Sequence, residues 1–163
     1  MNKRIYAEKL VEHHHSMLER AKVAKEGAQE DANQHMGRIE SRYDTFREEA
    51  QYLAGGHEAR CLELETIIFG LKQFLNGCKG LDQELDCGAP GALVTLVNGD
   101  DIPASYLLTP HGGGISLELE ELTIQVISTK SPLGSAILGK KAGEEIVLSA
   151  PGGQRTVRII SVC

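Results

Sequence analysis

The chain has 163 residues, with 23 acidic against 17 basic side chains and a formal charge of −6. That balance disfavours non-specific phosphate binding by the surface as a whole and makes a protein the expected partner. The length allows one or two small domains. Composition separates them: residues 1–80 contain no proline and are rich in Glu, Ala, Lys, Arg, Gln and Leu, whereas residues 88–163 hold all five prolines and eleven of the eighteen glycines. The first part reads as helix and the second as β. No apolar run is long enough to cross a bilayer and MNKRIYAEKL lacks a signal-peptide core, so a cytoplasmic protein without a membrane span is expected. Cys61, Cys78, Cys87 and Cys163 show no CxxC and no framework spacing, which suits reduced thiols.

From Ile5, small or apolar residues recur at spacings of three and four through Leu10, Met17, Leu18, Ala21, Ala24, Ala28, Ala32, Met36, Ile39 and Tyr43. This is one stripe along a helix of roughly forty residues, a rod of about 60 Å that cannot bury the stripe against itself. A second stripe follows, with Tyr52 or Leu53, then Ala59, Leu62, Ile67, Ile68, Leu71, Phe74, Leu75 and Cys78. Folding the chain near Asp44 and Thr45 joins the two as an antiparallel coiled coil over 1–79, with a tip near 43–48 and facing residue numbers adding to about 88. Gly55 and Gly56 cut across this scheme, because each glycine within a helix costs about 1 kcal/mol relative to alanine. They mark either a weak stretch or a close neighbour. His13, His14 and His15 are consecutive, so on a helix they point about 100° apart and cannot chelate one ion together; a solvated face, with one histidine at the seam, is the reading.

The tip region YDTFREEAQYLAGG (43–56) holds Asp44, Glu48 and Glu49. Three carboxylates in six residues could serve as ligands toward a metal held elsewhere. They could equally be acids favouring a helix N-terminus.

Residues 80–90 lose periodicity and end in Gly-Ala-Pro, which places a linker there. Short β-prone runs follow at 92–98, 102–109, 115–128 (one long strand or two), 144–149 and 154–162, with hairpin turns at 98–101 and 150–153. Between them Ser131 can cap a short helix, Pro132 suits its first position, Ala136, Ile137 and Leu138 face the sheet, and Gly139 ends it. The fold class is α+β in two domains, with a small antiparallel β domain carrying one short helix over 91–163.

SPLGSAILGKKAGEEIVLSAPGG (131–153), followed by QRTVRIISV (154–162), closely resembles the C-terminal domain of the bacterial GreA and GreB transcript cleavage factors. The resemblance implies an FKBP-like C-terminal domain behind an N-terminal coiled coil that enters the secondary channel of RNA polymerase. In that family a tip Asp and a Glu three residues later, in a motif like GDLxENAEYHAA, help hold a catalytic magnesium ion and stimulate cleavage of backtracked RNA. The polymerase supplies the active site. The chain is therefore expected to be an accessory factor with no cofactor of its own, meeting the nascent RNA 3′ end only indirectly and reading no DNA sequence. Ser131, Pro132, Leu133, Lys140 and Lys141 correspond to a surface that docks on the polymerase rim.

Aligned on Ala50 and Tyr52, EEAQYLA puts Glu48 on the family's glutamate, Thr45 on its aspartate position and Asp44 one residue early. This departure separates two readings, a cleavage-stimulating factor and a channel binder that modulates transcription without cleavage. Prolyl isomerase activity is a third possibility from the FKBP likeness, but four Tyr, three Phe and no Trp leave little for an aromatic proline pocket.

Overall fold

The computed structural model describes residues 2–34, 41–98, 102–119, 122–150 and 153–163, without the side chains of 32, 34, 41–47, 98, 149 and 150. The helical half forms α1 (Lys3–Gln34) and α2 (Ser41–Gly77). The expected tip at 43–48 falls inside α2. No proline or glycine interrupts Ser41 to Ala54, so nothing there stops a helix, and the residues that join α1 to α2 are 35–40, outside the described set. The register moves with the tip. Lys25 Nζ meets Glu58 Oε1 at 3.0 Å and Arg4 Nη1 donates to Leu75 O at 3.0 Å, so facing numbers add to 83 and 79 rather than about 88.

The chain divides into two compact units, Met1–Val11 with Phe69–Cys163, and Glu12–Ile68. In the second unit, Leu18, Cys61, Leu64 and Ile68 form the core, with Met17 and Ala21 packed on it. The buried set Ala54, Cys61 and Ile68 repeats every seven residues, as a coiled-coil seam requires. Leu62, expected in the seam, is 60% exposed, and Ala59 is exposed. The signal for Cys61 and Leu64 was their heptad spacing to Ile68 and Leu71. Of the histidine run, His14 is buried while His13 is exposed.

The first unit is built on a six-stranded sheet of order β3-β4-β2-β1-β6-β5. Its strands are β1 (Leu93–Asn98), β2 (Pro103–Thr109), β3 (Ile115–Leu119), β4 (Leu122–Ser128), β5 (Glu145–Ala150) and β6 (Gly153–Val162). The segment 115–128 is thus two strands, paired antiparallel from Ile115 with Val126 to Leu119 with Leu122. All pairs are antiparallel except β2 with β4, which run parallel from Ser105 with Ile124 to Thr109 with Ser128. The PHGGG segment allows this return: a Cβ on Gly113 would lie 2.4 Å from Ser128 N, so only glycine lets the two backbones pass.

Alternation in β6 breaks near its end because Thr95 faces Ser161 while Leu96 faces Ile159, leaving Ile160 as an extra residue in a bulge. Ile160 is 50% exposed, and the shift returns Val162 to the face that buries Val157 and Ile159. That face is completed by Ala92, Val94, Leu96, Leu108, Ile146 and Ile137. Ile137 belongs to α3 (Pro132–Ile137), whose cap is Ser131: its Oγ accepts from Gly134 N at 3.0 Å and donates to Ser128 O at 2.7 Å. Gly139 follows at φ +76°, which favours glycine. Leu138, expected against the sheet, is instead 40% exposed, because the helix ends one residue before it.

The segment 80–90 is attached to this sheet domain. Leu81 is buried in a 3-10 turn, and Gly88 exchanges bonds with the end of α3, Gly88 N donating to Lys140 O at 2.8 Å and Gly139 N to Gly88 O at 2.7 Å. The last turns of α2 pack as closely on the sheet domain's loops. A Cβ on Gly70 would fall 2.5 Å from His111 Cδ2.

Candidate functional site

Glu48 and Glu49 are exposed on α2. They stand seven and eight residues after Ser41, two turns into the helix, whereas stabilisation of acids by the helix dipole fades within the first turn. The dipole therefore does not account for them. One turn further on, Tyr52 and Leu53 are 84% and 56% exposed and form one surface depression with the two glutamates. Carboxylates and uncovered apolar area thus share one face, through the i to i+4 spacing of Glu48 to Tyr52 and Glu49 to Leu53. Exposure of Tyr52 and Leu53 was not readable from the alternation of sequence, which offered either as a seam residue. Asp44 and Thr45 lie on the helical backbone of α2, with side chains outside the description. Among the described residues no group of three or more His, Cys, Asp and Glu side chains is placed to hold a metal ion. Two exposed glutamates on a helix suit a role as added oxygen ligands to an ion that another molecule holds.

The expected docking residues of the sheet domain divide by role. Ser131 is half-buried and occupied as a helix cap, and Leu133 packs on the core. Pro132 and Lys141 are exposed. Lys140 Nζ pairs with Glu144 Oε2 at 2.8 Å, and Lys141 N donates to Glu144 Oε1 at 2.9 Å. The hydrogen bond from Lys140, followed by that from the Lys141 backbone, holds the Glu144 carboxyl below its usual range. The exposed surface available to a partner is therefore Pro132, Lys141 and the outer side of the Lys140–Glu144 pair.

A third polar cluster carries no sequence signal. Lys3 is buried, donates from Nζ to Gln83 O at 2.7 Å and borders a cleft of about 400 Å³ with Asp82, Glu84 and Cys163. Desolvation lowers its pKa, opposed by the nearby thiols and acids. Beside it Arg4 binds Asp82 through two nitrogens, Nε at 2.7 Å and Nη2 at 2.5 Å. The four cysteines are free thiols.

Residues 117–163 match the family described as "Transcription elongation factor, GreA/GreB, C-term". The transcription elongation factor GreA of Halorhodospira halophila is 31% identical over 120 residues, which cover 72% of each chain. The chain belongs to the GreA/GreB family. The GreA of Bacillus subtilis is 29% identical over 122 residues, 75% of this chain and 69% of that one. Among solved structures, GreA factor homolog 1 of Thermus thermophilus is similar at 21% identity over 94% of both chains, with a TM-score of 0.34. The family match runs from within β3 to residue 163, the segment that holds the capped helix α3 and the bulged strand β6. Family membership makes the chain a Gre-type transcription elongation factor. Among the described residues no helix is long and apolar enough to cross a membrane.

Proposed function

We propose that this factor binds bacterial RNA polymerase, that its helical hairpin enters the secondary channel, and that the acids near the start of α2 assist the polymerase in cleaving backtracked RNA. The observation that carries the proposal is the exposure of Glu48 and Glu49 on an unbroken helix, beyond the turn where a helix dipole would explain them. Glu48 occupies the family's glutamate position, and Asp44 stands one turn of backbone earlier. The polymerase's magnesium ion would supply the Lewis acid, and Glu48 would add an oxygen donor and orient the attacking water. No cofactor belongs to the factor itself. Pro132 and Lys141 would contact the polymerase rim.

A second reading, a channel binder that modulates transcription without cleavage, is favoured by Thr45 at the family's aspartate position. One experiment decides between them. The factor is added to backtracked transcription complexes with labelled RNA, and the cleavage rate and polymerase binding are measured. Under the first reading wild-type factor accelerates cleavage, and Glu48→Ala lowers the rate about 100-fold, the usual scale for losing one group that stabilises developing charge, while binding persists. Binding without cleavage, followed by a gain of cleavage in Thr45→Asp, establishes the second. Absence of binding overturns both.

A further inference from the structure

Ala59 and Leu62, the sequence's candidates for the seam, are both exposed. They belong to another run of positions on α2, made of Tyr52, Gly55, Ala59, Leu62 and Thr66 at spacings of three and four. This is the 3.5-residue period of a coiled-coil seam, and the buried Ala54, Cys61, Leu64 and Ile68 follow the same period on the other side of the helix. The two runs lie roughly 150° apart around α2 at 3.6 residues per turn. All five outer positions are exposed and none is charged. Thr66 Oγ1 donates to Leu62 O at 2.8 Å, so its hydroxyl is already satisfied within the helix. The face of a hairpin helix turned away from its seam is ordinarily polar, and this one is not.

Relief and charge narrow what fits the stripe. Tyr52 and Leu62 are large, whereas Gly55 and Ala59 leave hollows between them, and a Cβ at Gly55 would meet nothing within 4 Å. Large and small residues alternating at this period match the knobs and holes of another helix. A strand repeats every two residues and cannot follow it. Between residues 48 and 66 α2 carries five glutamates against one arginine, and Glu58 and Glu65 line one flank of the stripe at the positions that pair across a coiled coil. Two copies of this chain laid antiparallel, with Ala59 of each against Leu62 of the other, bring Glu58 beside Glu65 twice. That like-charge contact disfavours a second copy and favours a partner with basic flanks.

We propose that this outer stripe of α2 is a docking surface for an amphipathic helix of another protein, one with large apolar side chains at its own heptad positions and Lys or Arg along its flanks. Large side chains of that helix enter the hollows at Gly55 and Ala59, Leu62 enters a hole in return, and the basic flanks meet Glu58 and Glu65.

The test uses the full chain and two labelled three-heptad peptides with Leu at every a and d position, one carrying Lys and the other Glu at e and g. Each peptide repels itself, so neither self-associates. In fluorescence anisotropy the Lys-flanked peptide binds and the Glu-flanked one does not. Leu62→Glu weakens binding at least about 30-fold, the scale of losing a central anchor. Glu58→Lys/Glu65→Lys exchanges the preference, so that the Glu-flanked peptide is the one bound. All three positions are exposed, so circular dichroism of the variants matches the wild type. No binding of the Lys-flanked peptide overturns the docking surface, as does binding that survives Leu62→Glu or that ignores the sign of the flanks. A concentration-dependent dimer in sedimentation that Leu62→Glu abolishes overturns the foreign partner in favour of a second copy.

Discussion

The seam of the hairpin can be tested with two leucines that sit two residues apart on α2. Leu64 is 1% exposed and packs with Leu18, Cys61 and Ile68, whereas Leu62 is 60% exposed. Truncation of Leu64 to alanine removes three carbons from a closed environment. The transfer loss is about 2 kcal/mol at ~0.8 kcal/mol per methylene. The cavity left beneath Met17 and Ala21 raises the total to roughly 3–5 kcal/mol, the range of buried Leu→Ala changes. The same substitution at Leu62 removes area already in water and is expected to cost under about 0.5 kcal/mol. Urea denaturation followed by far-UV circular dichroism reads both. With a slope of about 1–3 kcal/mol/M, Leu64→Ala lowers the midpoint by at least about 1 M and Leu62→Ala leaves it nearly unchanged. If Leu62→Ala costs as much as Leu64→Ala, the heptad seam through Ala54, Cys61 and Ile68 is wrong and the stripe through Leu62 is restored.

The cap of α3 gives a second expectation. Ser131→Ala loses the bond to Gly134 N and the bond to Ser128 O, so the protein is destabilised by about 1–2 kcal/mol in thermal melts; an unchanged melting temperature would mean that Ser131 serves only a partner. Acid pH gives a third. The hydrogen bond from Arg4 holds the Asp82 carboxyl below its usual range, so the pair's contribution is fully present above the unfolded aspartate value near 4 and is lost as pH falls through the depressed one. Calorimetry below about pH 4 should show a smaller acid-induced drop in melting temperature for Asp82→Asn than for the wild type, and the difference should shrink in high salt because the pair is exposed. Parallel acid profiles for the two proteins would refute the assignment.

How much was legible differs between the halves. In the sheet domain the strands begin and end within a residue or so of their sequence positions, because turn chemistry such as Ser131-Pro132 and Gly139 acts locally. The parallel pairing of β2 with β4 and the bulge at Ile160 were not legible, since both depend on which strand lies alongside. In the hairpin, helical periodicity announced two long helices but admitted more than one seam. Alanine, cysteine and histidine can all occupy a seam, and the stripe read from the sequence ran through Leu62, not through Leu64.

The candidate site followed the same division. The acids are properties of the sequence, as is the resemblance that sets Glu48 against the family's glutamate and Thr45 against its aspartate. That Glu48 and Glu49 stand two turns inside a helix, beside exposed Tyr52 and Leu53, is not. The sequence alone determined that the chain has a proline-free helical part and a turn-punctuated β part, because helix propensity and turn residues act within a few positions. Only the tertiary structure decided where α2 begins and which side chains meet across the hairpin. Those choices depend on the fit of two surfaces distant in the chain, and a shift of a few residues between them leaves every local preference satisfied.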